Sequence, residues 1–108
     1  MTKSEIADEI LKIGKTVGAG YRVTAACIEM ADKMAVLPSV RPIVDDEQFG
    51  AGIAFDYDGE NGVSVEIFVS HEEIGGYMSY FDDEVSNFVF ESKDDAVNFW
   101  NVAVRMSV

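Results

Sequence analysis

Three observations predict a single α+β domain. Residues 4–17, 21–36 and 93–104 repeat apolar side chains every three or four positions, the spacing of one helical face. Residues 49–91 carry short alternating apolar runs separated by turns rich in Gly, Asp and Asn. The helical and strand-like parts are segregated along the chain, which favours helices on one side of an antiparallel sheet over a βαβ arrangement. The predicted order is ααββββα: two N-terminal helices, a four-stranded antiparallel meander and a C-terminal helix, in two layers over residues 1–108.

The first helix carries Ile6, Ile10, Ile13 and Val17 as its apolar stripe. Thr2 and Glu5 have the spacing of a capping box, with Ser4 the alternative cap, and Asp8 and Lys12 stand four apart as an ion pair. Gly14, Gly18 and Gly20 place the helix end within 14–20. Over 21–36 the stripe is Val23, Cys27, Met30 and Met34, with small Ala25, Ala26, Ala31 and Ala35 beside it, and Pro38 limits the helix. Cys27 lies on that stripe and reads as a buried small hydrophobe. Residues 37–48, with Pro38 and Pro42, form a connector, with room for a short extended piece at 40–44 on a sheet edge.

Strands are expected at 49–57, 63–69, 77–81 and 86–91. The clearest is the second, where Val63, Val65, Ile67 and Val69 alternate with Ser64, Glu66 and Phe68. The run from Asp58 to Gly62 contains Asp-Gly and Asn-Gly steps and reads as the hairpin turn before it. His71 to Gly76 reads as the next turn, and Asp82-Asp83-Glu84 as a charged connection. Ser92 followed three residues later by Asp95 marks the start of the last helix, whose apolar side is Ala96, Val97, Trp100, Ala103 and Val104.

Charge narrows the function. Eight Lys and Arg against twenty Asp and Glu give a formal net charge of −12 in 108 residues. Between Arg41 and Lys93 there is no Lys or Arg, while that stretch holds Asp45, Asp46, Glu47, Asp56, Asp58, Glu60, Glu66, Glu72, Glu73, Asp82, Asp83, Glu84 and Glu91. Such a surface repels nucleic acids and anionic membranes and attracts basic protein surfaces and cations. Direct nucleic-acid binding is therefore not expected, and no run is long and apolar enough to span a bilayer. The first residues lack a signal peptide's apolar core, and a lone cysteine permits no intrachain disulfide; both lead to a cytoplasmic expectation.

No catalytic, cofactor-binding or metal-ligating set stands out. The run from Asp56 to Gly62 resembles part of a calcium loop, but Asn61 and Ile67 occupy the positions that need Gly and Glu. The three glycines near position 18 lack the strand before and the Lys-Ser/Thr after that a phosphate loop requires. His71 with Glu72 and Glu73 is the one combination that could hold a metal or support hydrolysis, and one His with adjacent acids falls short of a ligand set.

Aromatic side chains within an acidic rim fit a protein interface instead. In 77–81, Tyr77 and Phe81 share one face and Met78 and Tyr80 the other. Placing Tyr80 with Phe68 away from the helices gives Glu66, Phe68, Tyr80, Asp82, Asp83, Glu84 and Glu91 as candidate partner-binding residues. The expected role is non-enzymatic: an acidic inhibitor of a basic nucleic-acid-binding protein or nuclease by nucleic-acid mimicry, of the kind carried by phages or mobile elements or serving as an immunity protein. The alternatives are a homodimeric interaction module, and a small hydrolase or metal protein built on His71.

Overall fold

The computed structural model describes residues 1–47, 50–60, 62–80 and 83–106; of 45, 46, 80 and 83–87 it describes the backbone. The elements are α1 (Lys3–Val17), α2 (Tyr21–Lys33), β1 (Ser39–Asp46), β2 (Gly50–Asp58), β3 (Val63–Ser70), β4 (Ile74–Tyr80), β5 (Asp83–Phe90) and α3 (Lys93–Met106). The five strands form one antiparallel sheet in chain order. The helices pack on one of its faces, so the α+β class and the helical parts stand as the periodicity predicts.

The helix ends follow local chemistry. Thr2 Oγ1 accepts from the Glu5 amide while Glu5 accepts from the Thr2 amide, each at 3.1 Å, a complete capping box. Hydrogen bonding to the Glu5 carboxyl from the Thr2 amide first, and then from the Thr2 side chain, holds it below its ordinary value. Gly18 closes α1 in the left-handed conformation, φ 67°, which a residue with a Cβ adopts only under strain. Ser92 Oγ accepts from the Asp95 amide at 3.1 Å and starts α3. The Asp8–Lys12 pair is not formed; among the described residues Lys12 has no ion-pair partner.

Four boundaries differ from the sequence expectation, one being that β5 begins at Asp83, inside the expected charged connection of Asp82-Asp83-Glu84. The sheet has five strands, not four: the connector at 39–46 is β1, with Pro42 opposite Ile53. Proline has no N–H to donate, and β1 tolerates it because it pairs on one side only, at the sheet edge. Ile74-Gly75-Gly76, expected as part of a turn, begins β4. A Cβ at Gly76 would meet the Glu66 carbonyl oxygen at 2.6 Å and the Phe90 ring at 3.0 Å, so glycine here admits close neighbours instead of bending the chain. Helix α2 stops at Lys33 because α3 takes over the following backbone: the Asn101 amide receives a bond from Ala35 N and donates to Lys33 O, and Trp100 Nε1 donates to Val36 O.

The core lies between sheet and helices. Ile53 and Phe55 from β2 and Val63, Val65, Ile67 and Val69 from β3 meet Ile6, Ile10, Cys27, Met30, Trp100 and Val104 from the helices. Trp100 is fully buried, with its ring edge-on to Tyr57. Cys27 sits in this core, and burial pushes its thiol up to about 12, the behaviour of a packing residue.

Candidate functional site

The other sheet face has no helix over it, and strand register decides what stands there. Arg41 on β1 is opposite Ala54 on β2, Ala54 opposite Phe68 on β3, and Phe68 opposite Gly75 on β4. One row along, Asp56 is opposite Glu66 and Glu66 opposite Tyr77. The guanidinium of Arg41 therefore crosses the small Ala54, which is fully buried, and comes over the Phe68 ring at 5.5 Å. From there its Nε donates to Asp56 Oδ2 at 2.7 Å and its Nη2 to Glu66 Oε2 at 2.9 Å. Tyr77 leans on Phe68, ring centres 5.9 Å apart. Arg41 is half exposed, whereas Asp56 and Glu66 are mostly covered.

Burial, only partly offset by Arg41, raises the Asp56 carboxyl above its ordinary value, with Glu66 adding repulsion. Asp56 Oδ1 is buried without a hydrogen-bond partner among the described residues, which accords with that cost. Burial also raises the Tyr77 phenol, and the hydrogen bond and charge of Glu66 act in the same direction. Both carboxylates are engaged by one cation. That arrangement suits holding a charged surface rigid better than moving a proton.

The remaining acids of the sheet gather at its two ends. Asp58, which accepts from Ser64 at 2.8 Å, and Glu60 lie at the β2–β3 turn. Glu47, Glu72, Glu73 and Glu91 lie at the opposite end, where β1 and β5 finish and β3 turns into β4. Asp58, Glu60, Glu47, Glu72 and Glu91 are exposed. The helix layer is different: Lys3 pairs with Asp32, Lys33 with Glu29 and Asp94, and Lys93 with Glu29. These three lysines are thus matched to helical acids, and among the described ion pairs only Arg41 serves the sheet.

Of the candidate contact residues, Glu66 and Phe68 stand together on the helix-free face, and Glu91 is exposed at one end of the sheet. Asp82 and the side chains of Tyr80, Asp83 and Glu84 lie outside the described residues. The Tyr80 backbone pairs with Val63, whereas Tyr77 pairs with Glu66 and Phe68 with Gly75. The aromatic beside Phe68 is Tyr77, and Met78 packs against the core. Arg41, Asp56 and Tyr77 escaped sequence reasoning as site members. The signal available was a lone cation bordering a long acidic stretch, inside a segment with extended character. The His71 ring lies beside Gly20 at the α1–α2 connection. His71, Glu72, Glu73 and Glu91 rim an open depression of about 460 Å³, and among the described residues no three His, Cys, Asp or Glu side chains are placed to hold a metal ion. No helix is long and apolar enough to cross a membrane. No protein-family model, curated protein or solved structure matches the chain.

Proposed function

We propose that this protein is a non-enzymatic binding protein whose acidic sheet occupies a basic surface on a partner, acting as an inhibitor of a nucleic-acid-binding protein or nuclease by mimicry. One observation carries the reading. Every ion pair described for a helical lysine goes to a helical acid, and Glu47, Asp58, Glu60, Glu72 and Glu91 at the ends of the sheet are exposed with no described ion pair. An eight-residue strand separates the two acidic ends by about 25 Å, the length of roughly seven base-pair steps of duplex DNA. Carboxylates at both ends, joined by a rigid sheet, are suited to meet cations that otherwise hold phosphates. The attraction speeds encounter and weakens with salt.

The test is capture of partners from the producing cell at low and high salt, followed by competition with labelled DNA or RNA. The expected result is a basic partner displaced from its nucleic acid by this protein. The combined variant Asp58→Asn, Glu60→Gln, Glu72→Gln and Glu91→Gln should bind about tenfold or more weakly and with a shallower salt dependence. A captured partner whose nucleic-acid binding is untouched, or an unchanged salt slope in that variant, defeats the proposal. An assembly module with a self-complementary sheet face is the second reading, favoured by Val89, which is 64% exposed. Concentration-dependent dimerisation lost in Val89→Lys would select it.

A further inference from the structure

One corner of the molecule has the opposite character. Between Glu9 and Glu29 the chain carries Lys12, Lys15 and Arg22 and no acid. All three are exposed, and none forms an ion pair with a described residue. Lys15 lines a groove of about 400 Å³ where α1 hands over to α2, with Leu11 and Tyr21 as its other walls and Gly14 and Thr24 among its lining residues; Lys12 and Arg22 are the chain neighbours of Leu11 and Tyr21. Leu11 is 46% and Tyr21 85% exposed, so two large apolar side chains stand in water beside uncompensated cations. The N-terminus of α2 adds to the positive character: Gly20 supplies no side-chain cap, and the first turn has no acid.

We propose that this groove docks an acidic segment of a partner protein, one apolar side chain entering between Leu11 and Tyr21 and flanking carboxylates meeting Lys15 and Arg22. Charge complementarity selects the occupant. The volume lies in the range of sites that take a side chain or small ligand rather than a flat surface. An extended polyanion, whether a membrane or a nucleic acid, would also approach the acidic sheet and be repelled by it; a short segment reaches the corner alone. A second copy is disfavoured because a contact between one molecule's basic corner and another's acidic sheet is heterologous, leading to rings or filaments and not to a twofold pair, and because each copy carries −12. The groove adjoins one acidic sheet end at Gly20, against which the His71 ring lies, and is remote in sequence from the other, at Asp58 and Glu60.

The probe is a short fluorescein-labelled peptide with Leu and Phe embedded among Glu and Asp, titrated with the intact chain by fluorescence anisotropy. Binding should weaken about tenfold or more in Lys15→Glu/Arg22→Glu and in Tyr21→Ser, all solvent-exposed positions, and should be unchanged in Glu60→Gln at the opposite sheet end. Backbone amide NMR shifts should concentrate at residues 11–24, which keeps the proposal testable if a variant folds poorly. Three results overturn it: no peptide binding by the intact chain, equal binding by Lys15→Glu/Arg22→Glu, or shifts elsewhere. Loss of self-association in the same variant, without peptide binding, would assign the corner to a second copy; binding of anionic vesicles alone would assign it to a lipid surface.

Discussion

Two carboxylates paired with cations, one in the helix layer and one on the sheet, respond to their surroundings in opposite ways. Glu29 on α2 accepts from Lys93 at 2.8 Å and is approached by Lys33, in the open; the Lys93 hydrogen bond, first among its causes, lowers its carboxyl below 4.5. Asp56 on β2 accepts from Arg41 at a shorter 2.7 Å, yet its carboxyl is raised above 3.8 because burial outweighs the pair. A close contact does not by itself report stabilisation: the solvent taken away to make it enters with the opposite sign. The same contrast separates the sheet's two faces. One is covered by helices and held by apolar packing; the other is held by a single cation shared between two acids over an aromatic ring.

The sharpest way to break this contrast is at the tryptophan. Trp100→Ala should cost about 3–5 kcal/mol in denaturant unfolding, since it empties a fully buried site and abandons the Val36 carbonyl. Val89→Ala, on the uncovered face and 64% exposed, should stay within about 0.5 kcal/mol. Similar losses for the two would mean that the helix-free face is structurally equal to the core.

A smaller effect is expected at the sheet's cation. Arg41→Ala leaves Asp56 and Glu66 facing each other, each mostly covered, and removes the lid over Ala54 and Phe68. A fully buried pair broken this way would cost about 3–5 kcal/mol; the half-exposed guanidinium reduces the expectation to about 1–2 kcal/mol. Lys33→Ala, in the exposed helical network, should barely move the unfolding midpoint, and less still in high salt. Equal effects from the two cations would erase the difference between the layers.

The smallest effect is the most specific, because it has a sign. A raised folded-state carboxyl binds its proton more tightly than the unfolded chain does. Asp56 therefore contributes stability below 3.8 that is lost as pH rises through its raised value. Glu29 behaves conversely: its contribution is present above 4.5 and lost as pH falls through its lowered value. Unfolding followed across this acidic range should show wild type losing ground to Asp56→Asn as pH rises above 3.8, and losing ground to Glu29→Gln as pH falls below 4.5. Slopes of the same sign would show that burial does not dominate at Asp56.

Much of the architecture was readable from local chemistry. The Thr2–Glu5 box, the Ser92 cap and the alternation of Val63 to Val69 each involve neighbours within a few residues, and each appears where the spacing places it. The misread parts share a cause. Pro42 and Gly75-Gly76 are breakers by propensity, and they become strand because of what lies across from them: no described strand on the outer side of β1, and the Glu66 carbonyl with the Phe90 ring around Gly76. The candidate site was hidden for the same reason. Arg41 meets carboxylates fifteen and twenty-five residues away, and Tyr77 stands beside Phe68 because Glu66 pairs with Tyr77. A shift of one residue in that pairing would put Tyr77 on the other face.

From the chain alone came the class of fold, the helical stripes, the half-apolar third strand and the long stretch without a Lys or Arg, all properties of spacing and charge that need no partner across the molecule. Tertiary structure decided which charges neutralise one another: Lys3, Lys33 and Lys93 to helical acids, Arg41 to Asp56 and Glu66, and Lys12, Lys15 and Arg22 to no described ion pair. The reason is geometric. Periodicity assigns a side chain to a face, but only strand register and helix docking bring two distant side chains within the few ångströms over which a hydrogen-bonded ion pair forms.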